Sequence, residues 1–168
     1  MQKQVRDQFE LLTRATEHPA GQATDRATAY GELGKLLFAA ESFAEAEPCF
    51  FNAHVLAPAD ARWSYYLAHA YRLQGESTKA AAFFERTLQL RPDDVSALIW
   101  LGNTYLDQGR LDDAGAMFSK GLAREPQAAA RFGAGRVALA KHDYAGAIQH
   151  LEAALALDRS ATMIHYPL

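Results

Sequence analysis

The stretch Ala81 to Asp94, "AAFFERTLQLRPDD", sets two phenylalanines on a ladder of apolar residues and closes on a proline, the pattern of a helix being stopped. Thirty-four residues earlier stands "EPCFFNAHVLAPAD" (Glu47 to Asp60), and thirty-four later "GAMFSKGLAREPQA" (Gly115 to Ala128). Extending the register outward gives three units, 27–60, 61–94 and 95–127. Four columns agree across them: Gly34, Ala68 and Gly102; Ala46, Ala80 and Ala114; Phe50, Phe84 and Phe118; Pro58, Pro92 and Pro126. A fourth unit, 128–161, joins if one residue is lost in the preceding turn, which places Gly135, Ala147, Leu151 and Ala154 in register and Arg159 where the proline stood.

Within each unit apolar residues recur at three and four, as in Leu98, Leu101 and Tyr105, then Met117, Phe118 and Leu122. That spacing predicts two amphipathic helices per unit. The breaks fall near Glu41 and Ser42, in "QGES" (Gln74 to Ser77) and in "QGRL" (Gln108 to Leu111), where glycine takes the left-handed turn that ends a helix. Short side chains allow a close crossing, so Gly34 is expected to face Ala46 and Gly102 to face Ala114, with phenylalanine filling the wedge beside them. No helix pair buries its own stripe. Each therefore stacks on the next, and the expected fold is all-α, a right-handed α-solenoid of stacked antiparallel helix pairs whose first helices line a concave surface.

The string "LGNTYLDQGRLDDAGAMFSKGLAREP" (Leu101 to Pro126) resembles the tetratricopeptide repeat, with its Leu-Gly, Tyr, Gly, Ala, Phe and Pro in register. The resemblance runs from Ala27 to about Ala161. It implies about four such repeats and a protein-binding scaffold. Family geometry turns one face of the first helices inward: Thr28, Lys35 and Phe38; Arg62, Tyr65, His69 and Arg72; Ser96, Ile99, Asn103 and Leu106; Phe132, Arg136 and Leu139. Tyrosine and arginine dominate binding energy elsewhere, and an extended peptide or helix bearing acidic groups would suit Arg62, Arg72 and Arg136. Some family members grip a C-terminal carboxylate with Lys and Asn four apart on the first helix of the first repeat. Gly31 and Lys35 stand there instead, so that clamp is not carried over. Trp63 and Trp100 read as packing residues at junctions between repeats.

Composition bounds the function. A formal charge of −3, with twelve arginines and five lysines spread among 20 acids, offers no electrostatic footprint for nucleic acid. The acid balance also argues against a repeat that reads RNA. No apolar run approaches the ~20 residues of a membrane span, and the first residues are too polar for a signal peptide. The compartment stays open, cytoplasmic or, if a signal has been removed, periplasmic. Cys49 stands alone, a small core residue beside Phe50. No nucleophile elbow, phosphate-cradling loop, H-E-x-x-H or Cys-His arrangement points to an enzyme, and no cofactor or metal is expected. His142 and His150 lie eight apart, about two helical turns, too far to share a metal without a third ligand.

Both ends carry expectations. Val5, Phe9 and Leu12 fall on one face of an N-terminal helix, and residues 1–26, helix and linker, would cap the first repeat. Residues 162–168 begin a fifth unit or a truncated terminal helix, with Leu168 in the column of Leu33, Leu67 and Leu101. A last repeat left uncapped would favour a homodimer or belong to a longer array. The leading reading is a non-catalytic scaffold that holds a peptide or helix of a partner protein in its concave groove. The alternative is a small secretion or assembly chaperone.

Overall fold

A computed structural model describes Glu10 and residues 23–157. Eight helices make up the described chain, which contains no strand: α1 (Ala23–Ala39), α2 (Phe43–Leu56), α3 (Ala61–Leu73), α4 (Ser77–Leu90), α5 (Val95–Asp107), α6 (Leu111–Arg124), α7 (Ala128–Ala140) and α8 (Tyr144–Leu157). They pair as four antiparallel hairpins in two compact units that divide after Pro92. In the first unit the α1/α2 hairpin packs on α3/α4; in the second, α5/α6 packs on α7/α8. The expected N-terminal stripe of Val5, Phe9 and Leu12 and the 162–168 segment lie outside the described residues.

One hydrogen-bonded turn closes every hairpin. The residue just past each first helix has a left-handed backbone: Glu41 (φ 59°), Gly75 (79°), Gly109 (74°) and His142 (61°). The amide that follows it reaches back five residues, Ser42 N to Leu37 O, Glu76 N to Tyr71 O, Arg110 N to Tyr105 O and Asp143 N to Ala138 O, at 2.8 to 3.0 Å. The left-handed residue itself donates three residues back, as in Gly109 N to Leu106 O at 3.0 Å. Together these satisfy carbonyls the helix end would orphan. Glycine takes that geometry freely in the two middle turns, whereas Glu41 and His142 hold it against a Cβ.

Three helix starts are capped by acids. Asp60 accepts from the Arg62 amide, Asp94 from that of Ala97 and Asp143 from that of Gly146, each at 3.0 Å. A side-chain oxygen at this place supplies a partner for an otherwise unpaired helical amide.

The core follows the columns. Phe50, Phe84 and Phe118 and the alanines Ala46, Ala80, Ala114 and Ala147 are all buried. The glycines lie against the phenyl rings: a methyl on Gly34 would lie 2.7 Å from the Phe50 ring and one on Gly102 2.8 Å from Phe118. The hairpin crossing is thus closed by glycine against a phenyl face, with the alanine one turn away. Trp63 is buried, as a packing residue should be, its indole lying on Gly31 of α1 and so joining the two hairpins of the first unit. Trp100 and Cys49 are only half-buried. Partial burial raises the Cys49 thiol pKa by desolvation.

Candidate binding face

In the first unit the first helices carry a run of touching rings. Tyr65 meets His69 edge-on at 4.6 Å between centroids and lies 6.0 Å from Tyr66; Tyr66 stacks on Phe50 at 5.2 Å, and Phe50 meets Phe38 at 6.1 Å. Phe84 supports Tyr65 and His69 from below, at 5.9 and 5.1 Å. Phe84 and Phe50 are fully buried, while Phe38, Tyr65, Tyr66 and His69 are half-buried and keep an edge in solvent. The His69 pKa falls to about 4, first because burial disfavours the imidazolium and then because Arg72 repels it. At neutral pH His69 is therefore an uncharged aromatic.

The cations of this face are engaged. Lys35 donates to both oxygens of Glu32, at 2.8 and 3.0 Å, and its ammonium lies 5.7 Å from the Tyr66 ring centroid. Arg62 grips Asp60 through Nε and Nη2, and its guanidinium lies 4.7 Å from the Trp63 ring. The hydrogen bond from Arg62 is the largest of the effects that lower the Asp60 pKa. Arg72 is half-buried next to His69. Thr28 turns its hydroxyl back onto the Thr24 carbonyl at 2.9 Å.

The second unit builds its face differently. Arg136 of α7 donates to the Asn103 Oδ1 of α5 at 3.1 Å and lies 3.5 Å from the Asp107 carboxylate one turn further along α5. Leu106 and Phe132 are half-buried, and Ser96 and Leu139 are exposed. Ile99 departs from expectation. It is buried, and a methyl on Gly121 of α6 would lie 3.9 Å from its Cγ1, an ordinary contact. Ile99 presents little surface to solvent.

The structure thus brings Tyr65 with His69, and Asn103 with Arg136, and leaves Ile99 buried. It also adds Tyr66, Glu32, Asp60 and Asp107, which the face projection passed over. Asp107 had a signal, lying four residues after Asn103 on one helix, and Asp60 stands two residues before Arg62 at the helix start. His142 and His150 have separate neighbours, Tyr144 Oη at 3.3 Å and Arg131 Nη1 at 3.5 Å. No helix among the described residues is long and apolar enough to cross a membrane.

Two models of the tetratricopeptide repeat match the sequence, over residues 32–95 and 71–134. A comparison with curated proteins finds no match. Solved structures similar in fold include that of MamA (TM-score 0.82, 20% identity, 94% of this chain and 88% of that one). Another is YrrB, described as a TPR protein with an unusual peptide-binding site (0.78, 22%, 94% and 81%). The TPR domain of Arabidopsis OM64 is a third (0.66, 20%, 68% and 96%). Stacked helix hairpins in the register of these matches, closed by one repeated turn and packed on one repeated aromatic column, make this chain a member of the tetratricopeptide repeat family, whose proteins are generally protein-interaction scaffolds.

Proposed function

We propose that this chain is a non-catalytic scaffold that binds a peptide or a helix of a partner protein on the first-helix faces of its hairpins. The observation that carries this reading is the ring series Phe38, Tyr66, Tyr65 and His69, half-exposed yet held in place by buried Phe50 and Phe84. Rings already fixed by their neighbours lose little entropy when a ligand covers them. The peptide-binding description of YrrB, a fold neighbour, points the same way. Arg62 and Arg136 already hold Asp60 and Asp107, so the preferred partner is apolar or aromatic in its contacts, with acidic groups secondary. The same pairing disfavours a nucleic-acid backbone as ligand.

Selection from a displayed peptide library on the intact chain tests the reading. Recovered peptides should lose at least fivefold in affinity to Tyr65→Ala and to His69→Ala. Peptides that bind both variants as tightly as the parent chain would refute the face. A small secretion or assembly chaperone differs in its client. It would retain an unfolded chain in solution on co-expression, where a scaffold binds a partner that is already folded.

A further inference from the structure

Ion pairs border the ring series of the first unit, and they leave an unequal set of hydrogen-bonding groups. Asp60 takes the Arg62 amide and Nε on one oxygen, and Nε and Nη2 on the other, at 2.6 to 3.0 Å. Glu32 is bound at both oxygens by the Lys35 ammonium. The donors are not used up in the same way. A guanidinium has five N–H groups and an ammonium three, so the Nη1 end of Arg62 and one hydrogen of Lys35 remain after these bonds are made. Both side chains are open to solvent, Arg62 53% and Lys35 37% exposed. They also lie beside the rings. The Lys35 ammonium is 5.7 Å from the Tyr66 centroid. The Arg62 pKa is held above its ordinary value first by the Asp60 hydrogen bond, with Glu32 and Tyr66 close enough to add to the effect. Tyr66 brings a hydroxyl donor of its own.

With its charges already paired and donors in surplus, the face complements a ligand that is uncharged, apolar and rich in acceptors. A helix spends its backbone carbonyls on its own hydrogen bonds. An ordinary extended segment brings an amide N–H with every carbonyl, and here those amides would meet carboxylates that are already bound. A proline-rich segment brings carbonyls alone, because proline has no N–H, and polyproline II makes no internal hydrogen bonds, so the carbonyls stay available. Its pyrrolidine rings are apolar and dock in aromatic-lined grooves. The rings of this face supply angled walls: Tyr65 meets His69 at 67° and Tyr66 at 77°, with Phe84 and Phe50 bracing them from beneath. Braced rings and a ligand helix that is already formed both lose little freedom on contact.

We propose that the Phe38, Tyr66, Tyr65 and His69 face, with Arg62 and Lys35 at its border, takes a proline-rich segment of the partner in the polyproline II conformation. This inference rests on the peptide-face reading above and narrows it. Decaproline carrying a fluorophore is the probe. Its anisotropy should rise to saturation on titration with the full chain, whereas a labelled glycine–serine peptide of the same length should not respond. Tyr65→Ala should weaken decaproline binding at least fivefold. Tyr66→Phe, which keeps the ring and removes one donor, should weaken it about threefold and leave the melting curve unchanged. Phe51→Ser, at an exposed ring of α2 outside the series, should leave binding alone. Decaproline that fails to bind, that binds no better than the glycine–serine peptide, or that is indifferent to Tyr65→Ala and Tyr66→Phe overturns the proposal. So does equal weakening by Phe51→Ser. Library-selected peptides that depend on Tyr65 yet contain no proline-rich core also overturn it and leave the peptide face standing. Selected peptides indifferent to Tyr65→Ala and His69→Ala refute the face itself.

Discussion

The two units share a backbone plan and differ in what they show to solvent. In residues 23–92 the first helices present rings braced by rings, with Tyr65 and His69 resting on Phe84. In residues 93–157 the corresponding face is an ion pair and an amide, Arg136 between Asn103 and Asp107. His69, Asn103 and Arg136 occupy one repeat column, and Tyr65, Ile99 and Phe132 another. Columns that close the hairpin hardly vary because interior packing density penalises any change of volume. Columns on the first-helix face vary freely, which is how one scaffold acquires different ligands.

Removing the core ring is the heaviest blow to this comparison. Phe84→Ala and Phe118→Ala should each destabilise the chain by about 3 to 5 kcal/mol in urea titration. A markedly greater loss for Phe84→Ala would show that the aromatic face of the first unit depends on its core ring more than the polar face of the second does on Phe118.

Acid should single out the first unit next. The His69 pKa is about 4 in the folded chain against an ordinary value of 6.5, so below pH 6.5 the unfolded state takes up a proton that the folded state refuses. Stability should therefore fall as pH drops from about 6.5 to 4, by up to about 3 kcal/mol. His54, whose pKa is lowered by burial and then by Arg86, adds a slope of the same sign. Urea midpoints at pH 7 and pH 4.5 should converge in His69→Gln, and an unchanged slope in that variant would contradict the burial argument.

Glycines sharpen the contrast at smaller scale. Gly31→Ala drives a methyl into the Trp63 indole and should cost about 1 to 3 kcal/mol. Gly115→Ala in the second unit meets only ordinary contact with Val137 at 3.7 Å and should stabilise by about 0.5 to 1 kcal/mol through helix propensity. Thermal melts of the two variants should move in opposite directions. The smallest effect is expected for Arg136→Ala, whose partly exposed pair with Asp107 contributes under about 1 kcal/mol, so its melting curve should nearly overlay the parent's.

Much of the fold was readable from spacing. The columns of Phe50, Phe84 and Phe118, and of Ala46, Ala80 and Ala114, repeat because every hairpin solves the same packing problem. The first turn was readable even without glycine: Glu41 adopts the left-handed conformation seen at Gly75 and Gly109, so register located what residue type did not. The face was less legible. Ile99 looks like a groove residue on a helical projection, yet in the fold it is only 6% exposed. Arg62 looks like a free cation, yet Asp60 two residues before it claims the guanidinium.

The order of residues along this chain determined where helices start, stop and pair, because periodicity, caps and turns are local properties with short-range causes. Which side chains remain available to a ligand was decided only by the tertiary structure. A half-buried side chain's exposure depends on the size and charge of neighbours brought from other helices, as Phe84 does for Tyr65 and His69.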